Sequence, residues 1–135
     1  MSTESFVRAW LDTYTRGDLD QALACYTDDV VFEDPIFGER IAGRAHLRTA
    51  FAQFFFTGVT RLAFHLWTGD AHGGAVEWFW TATWGPNRSF LGVDCSNRCF
   101  TTRGVSVLAL RDQLIYRQTD YWDARTPLRD LGALA

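Results

Sequence analysis

The sequence predicts an α+β fold built as one domain over residues 1–135. Segments with helical periodicity crowd the first half of the chain, and strand-like segments then follow one another towards the end. That order belongs to a largely antiparallel meander rather than to alternating βαβ units. A length near the commonest for one domain, with 47% apolar residues, supplies enough material for a hydrophobic core.

Three helices are expected in the first half. Phe6, Val7, Trp10, Leu11 and Tyr14 recur at helical spacing behind the possible caps Ser2 and Thr3. Gly17 ends that helix, and Asp18 caps a second, short one carrying Leu19, Ala22, Leu23 and Tyr26 on one side. The period then changes: Val30 to Asp34 reads as a strand, and Pro35 stops it. A glycine-punctuated turn from Phe37 to Gly43 leads into the third helix, whose stripe is Leu47, Ala50, Phe51, Phe54 and Phe55, with Gly58 just past its end.

Strands are expected from there on. Val59 to Trp67 comes first, and a turn over Gly69 to Gly74 leads to Val76 to Trp84, closed by Gly85, Pro86 and Asn87. A long stretch from Leu91 to Leu110 follows, broken near Cys95 to Arg98. The turn Arg111 to Gln113 opens the last strand, Leu114 to Trp122, and Thr126-Pro127 reads as the cap and first turn of a short terminal helix.

Composition narrows the function. Aromatic residues make up 16% of the chain, enough to line a cavity as well as fill a core or cover a dimer interface. The formal charge is −3 and the pI about 5.5, with no strongly basic stretch, so no nucleic-acid partner is expected. The polar start Ser2-Thr3-Glu4-Ser5 is no signal peptide, and no apolar run is long enough to span a bilayer, so no membrane partner is expected. Cys25, Cys95 and Cys99 form an odd set in a chain without an export signal, which reads as reduced thiols and a cytoplasmic location. Without a metal-ligand cluster, phosphate loop, dinucleotide fingerprint or nucleophile elbow, neither metal nor cofactor is expected.

The chemistry-bearing candidates are acids among rings. Asp34 shares a strand face with Val30 and Phe32; it is either a carboxylate aimed into apolar surroundings or a strand-end turn former before Pro35. Asp120 alternates with Tyr116, Gln118 and Trp122, while Ile115 and Asp123 fall on the other face. Alternation alone leaves open which face is inner. Trp78, Trp80 and Trp84 share one face of their strand, suited to a pocket wall or a packed core. His65 is the one histidine placed to reach an interior, since His46 and His72 lie in a first helical turn and a glycine-rich turn.

Gly17-Asp18, Tyr26-Thr27-Asp28-Asp29-Val30, Phe32-Glu33-Asp34-Pro35 and Gly43 before a helix resemble the nuclear transport factor 2-like superfamily. Thr119-Asp120-Tyr121-Trp122-Asp123 followed by Leu128-Arg129-Asp130-Leu131-Gly132 is similar to the C-terminal signature of its SnoaL-like polyketide cyclase branch. The resemblance implies a cone-shaped (cystatin-like) curled antiparallel sheet, packed with the three helices and enclosing a pocket, with Gln118, Asp120 and Trp122 facing inward. It places Asp34 at the general-base position of ketosteroid isomerases, with Trp10 and about Ser106 where those enzymes hold a Tyr and an acid. It also places Asp120 at the acid/base position of the cyclases. The Arg-x-Asp of limonene epoxide hydrolases is replaced by Trp80-Thr81-Ala82, and the histidine pair of scytalone dehydratases has His65 as its lone candidate.

Together these readings predict a pocket of roughly 300–1,000 Å³ for a small hydrophobic ligand. Asp34 and Asp120 are its catalytic candidates, and Trp10, Tyr14, Phe32, Phe55, His65, Trp78, Trp80, Ser106, Gln118 and Trp122 its walls. Cofactor-free isomerase, cyclase or lyase chemistry is the expected activity, and a non-catalytic binding or dimerisation module the alternative. A homodimer covering the outer face of Glu77, Phe79, Thr81 and Thr83 is also expected.

Overall fold

The computed structural model describes residues 2–54 and 59–134. Helix α1 (Thr3–Arg16) starts where the Ser2 hydroxyl accepts the Ser5 N–H and stops at Gly17, whose φ of 67° is open to glycine without a Cβ penalty. Its buried stripe is Val7, Trp10, Leu11 and Tyr14, and its wet face carries the Glu4–Arg8 and Asp12–Arg16 ion pairs. Helix α2 (Leu19–Leu23) is capped by the Asp18 side chain as expected.

Strand β1 (Tyr26–Asp34) starts earlier than the expected Val30, taking Tyr26 away from α2. The expected turn from Phe37 to Gly43 contains a strand, β2 (Glu39–Ala42), paired antiparallel with β1. Gly38 at φ 73° and the Asp34 carboxylate, which accepts the N–H groups of Ile36 and Phe37, close this hairpin. Helix α3 (Arg44–Phe54) buries Leu47 and Phe51; its expected end at Phe55 to Gly58 lies outside the described residues.

The remaining strands are β3 (Val59–Asp70), β4 (Gly73–Thr83), the short pair β5 (Ser89–Phe90) and β6 (Val93–Asp94), β7 (Cys99–Arg111) and β8 (Leu114–Trp122). The main sheet runs β2-β1-β8-β7-β4-β3, curled and unclosed. It is antiparallel except where β1 lies parallel to β8. Helix α1 crosses β3, where the Leu62 N–H donates to Thr15 Oγ1 at 3.0 Å, and α3 rests on β1. The α+β architecture with helices against one face of a curled sheet is as expected.

Two bulges correct the expected faces. Phe64 pairs with Trp78 and Leu66 with Glu77, so His65 is an extra residue that breaks the alternation and lies exposed beside Phe79. Likewise Ala109 pairs with Arg117 and Leu110 with Ile115, which leaves Tyr116 over. Ile115 therefore turns inward with Gln118 and Asp120, and Tyr116 outward. Helix α4 (Arg125–Asp130) begins before the expected Thr126 cap; Asp123 supports it by accepting the Thr126 N–H, which keeps that acid out of the interior. Among the described residues no helix is long and apolar enough to cross a membrane.

Candidate active site

Strand register assembles the site. On the inner face Val76, Ser106 and Asp120 form one row across β4, β7 and β8, and Trp78, Gly104 and Trp122 form the next. A Cβ on Gly104 would collide with the Trp78 ring and with Trp122, so glycine is what lets the two indoles flank the sheet at this row. On the other side β1 pairs Phe32 with Gln118 in parallel register. Two residues further along both strands stand Asp34 and Asp120.

Asp120 is 7% exposed. Its Oδ1 accepts the Ser106 hydroxyl at 2.6 Å and the Gln118 amide at 2.9 Å, while Oδ2 takes no hydrogen bond among the described residues. Burial penalises the ionised form and pushes this carboxyl up to about 7; the two donors oppose the rise, and the Asp34 charge adds to it. Asp34, 5% exposed, accepts the Trp122 indole N–H as well as the two turn N–H groups. Burial raises it, and the Phe37, Trp122 and Ile36 donors hold the rise back. It is therefore both the turn former and the inward acid that its sequence context left as alternatives.

Behind Asp120 runs a buried chain of donors. Trp10 Nε1–H donates to Tyr26 Oη at 3.1 Å, and the Tyr14 and Tyr26 hydroxyls lie 2.7 Å apart. Tyr26 gives its own proton to Gln118 Oε1 at 2.6 Å, so Tyr14 is the donor between the two phenols. Gln118, its oxygen held by Tyr26, can only turn its amide N–H towards Asp120. Trp78 Nε1–H donates to Ser106, whose hydroxyl then faces Asp120 in the same way. Burial raises both phenols far above their ordinary value.

These side chains enclose a slot of about 30 Å³, room for about two waters. Asp34, Ser106, Gln118 and Asp120 supply its polar walls, and Trp10, Tyr14, Trp78, Trp80 and Trp122 its rings. The slot is far smaller than expected because the aromatic side chains fill the space themselves: Trp80 and Trp122 meet edge to face at 5.5 Å, and Phe37 leans on Trp122 at 5.0 Å. Trp84 packs away from it, on Phe90 and Phe100.

Two candidate wall residues fall elsewhere. Phe32 borders a second cavity of about 20 Å³ behind Asp34, with Glu39 and Phe51. His65 is on the outer face, and Phe55 lies outside the described residues. Trp10 and Ser106 do border the slot, but their N–H and O–H are spent on Tyr26 and Asp120 rather than aimed at a ligand. Sequence reading missed Phe37, Leu62 and Tyr26; the β-like run Tyr26 to Val31 was the one available signal for the last. Among the described residues no group of acids, cysteines and histidines is arranged to hold a metal.

An unclosed, curled six-stranded sheet with helices laid against it is the architecture of the nuclear transport factor 2-like superfamily. Within it, the chain belongs to the SnoaL-like domain family, whose model matches residues 7–118. No match was found among the curated proteins. Among solved structures, a candidate polyketide cyclase from Xanthomonas campestris superposes with a TM-score of 0.82 at 20% identity, covering 96% of each chain. A candidate SnoaL-like polyketide cyclase from Shewanella putrefaciens gives 0.83 at 14% identity, over 98% of this chain and 97% of that one. A protein of ketosteroid isomerase-like fold from Catenulispora acidiphila, solved with trimethylamine, gives 0.77 at 15% identity, over 96% and 93%. At these identities the likeness is one of fold.

Proposed function

We propose that this chain is a cofactor-independent acid/base enzyme acting on a small, largely apolar molecule by isomerase, cyclase or lyase chemistry. The observation that carries the reading is Asp120: a buried carboxyl held near neutral pH, anchored through Oδ1 only, with a second carboxyl beside it. Asp34 holds more donors and ionises first, which makes it the base. Asp120 keeps its proton to about pH 7 and is the acid. One withdraws a proton from carbon while the other donates to the oxygen where charge collects. The family supports chemistry of this type on small molecules. A ligand larger than the slot enters only if an aromatic wall such as Phe37 moves.

The narrow slot and the engaged Trp10 and Ser106 donors favour the second reading, a binding module that kept the fold without turnover. Carboxyl-carbon NMR titration of the wild type and Asp34→Asn separates the two. The enzyme reading expects Asp120 to titrate near 7 and to move down once the Asp34 charge is gone. Independent titration of both acids near 4 refutes it. The exposed outer face, with Phe79, Val107 and Tyr121, is read as the interface of a homodimer, which light scattering tests. A monomer mass at high concentration removes that part.

A further inference from the structure

Two cavities meet at one side chain. The slot beside Asp120 has room for about two waters, and the cavity of about 20 Å³ behind Asp34 has room for about one. Their described walls share two residues, Asp34 and Phe37. Asp34 is anchored by the N–H groups of Ile36 and Phe37 and by the Trp122 indole. Phe37 is pinned at its backbone, since its N–H is one of those donors, but its ring is half-buried and stands at a hairpin turn whose Pro35 and Gly38 are exposed. An edge contact to Phe90 at 5.9 Å and a tilted contact to Trp122 at 5.0 Å help to hold the ring inward. A change of χ1 rotamer moves the ring while the turn, and the Asp34 carboxyl that it positions, stay in place.

We propose that Phe37 is the specificity-determining residue of this site: displaced by substrate, its ring lets the two cavities join into one that accepts an uncharged carbonyl compound built on a single six-membered ring. The size follows from what moves. A phenyl ring leaves behind the space of one six-membered ring, and the flanking cavities add room for small substituents alone, so a second fused ring is excluded. Asp34 borders both halves of the joined cavity, and Asp120 borders the slot half only. A cyclic ketone seated there turns its oxygen to Asp120 Oδ2, which takes no hydrogen bond among the described residues, and a neighbouring ring carbon to Asp34. The other described walls are mostly aromatic or aliphatic, with Trp78, Trp80 and Trp122 on one side and Ile41, Ala50 and Phe51 on the other, which suits an uncharged ring. The inference rests on the acid/base reading for the roles of the two acids, and it adds the substrate class and the residue that selects it.

The test is calorimetry with cyclohexanone, and with decalone as its fused two-ring counterpart, on the wild type, Phe37→Ala and Ala50→Leu. The wild type should bind cyclohexanone at tens-of-millimolar concentration, with the Trp122 indole N–H shifting in NMR, and should bind decalone at least about tenfold more weakly. Phe37→Ala removes the ring that substrate must otherwise displace, so cyclohexanone should tighten at least about tenfold, with decalone still the weaker ligand. Ala50 lines the second cavity but not the slot. Ala50→Leu fills that cavity from α3, so it should weaken cyclohexanone at least about tenfold and leave Asp120 titrating near 7. No cyclohexanone binding to the wild type, equal affinity in the wild type and Phe37→Ala, or decalone binding as tightly as cyclohexanone overturns the inference. If Phe37→Ala does not fold, the wild-type selectivity and the Ala50→Leu loss decide it. No cyclohexanone binding with Asp120 still titrating near 7 leaves the acid/base reading standing. Cyclohexanone binding with both acids titrating near 4 retires the acid/base reading instead.

Discussion

Replacing Asp120 by Asn should stabilise this protein, and by an amount that depends on pH. Burial raises the Asp120 carboxyl from 3.8 to about 7 in the folded chain. Between those values the unfolded chain has released a proton that the folded chain retains, so wild-type stability falls as pH rises. The loss is about 1.4 kcal/mol per pH unit, or about 4 kcal/mol across the whole interval. Asn has nearly the same shape, can accept from Ser106 and Gln118 through its oxygen, and carries no charge at any pH. The advantage of Asp120→Asn over wild type should therefore be small below about pH 3.5, reach about 1.5 kcal/mol at about pH 5, and level off near 4 kcal/mol above about pH 8. Paired urea denaturation measures it: with m of about 2 kcal/mol/M, the midpoints should separate by about 2 M at the alkaline end. Common contributions from other acids cancel in the pairwise difference. A gap that stays constant with pH would mean that Asp120 is not raised by burial. A gap that closes as pH rises would mean that it is ionised and paired. Either result removes the acid from the proposed mechanism.

Other changes test the surrounding shell. Tyr26→Phe deletes the hydroxyl that fixes the Gln118 amide; with Gln118 free to turn its oxygen to Asp120, the Asp120 midpoint should move up in an NMR titration, and the stranded Trp10 and Tyr14 donors should cost about 1–3 kcal/mol. An unmoved midpoint would show that Tyr26 is structural only. Gly104→Ala puts a methyl into the Trp78 and Trp122 side chains and should cost about 1–3 kcal/mol in urea denaturation, an idea sunk by an unchanged midpoint. His65→Ala, on the outer face, should change stability by no more than about 0.5 kcal/mol and leave the Asp120 titration in place; a shifted titration would return His65 to the site.

The local signals in this chain were reliable where one segment settles its own structure. Ser2 and Gly17 bound α1, Asp18 caps α2, and the stripe of Val7, Trp10, Leu11 and Tyr14 buries the face that periodicity assigned to it. Alternation placed Trp78 and Trp80 together on the inner face of β4, because a regular strand sends every second side chain the same way. Where a segment is irregular the same rule misleads: one extra residue at His65, and another at Tyr116, reverses the faces beyond it.

The fold class, the candidate acids Asp34 and Asp120 and the rings Trp10, Tyr14, Trp78, Trp80 and Trp122 were thus legible in the sequence by itself, through residue type, period and motif order, whereas Phe37 and Tyr26 were not. The site was decided by tertiary structure. Tyr26 and Gln118 lie 92 residues apart, and Asp34 and Trp122 lie 88 apart. They meet only because β1 pairs in parallel with β8, a contact that no local turn specifies. That pairing turns two ordinary acids into neighbours in a buried slot and sets which oxygen of Asp120 is held. The size of the slot also depends on how the rings pack against one another, which composition counts but does not arrange.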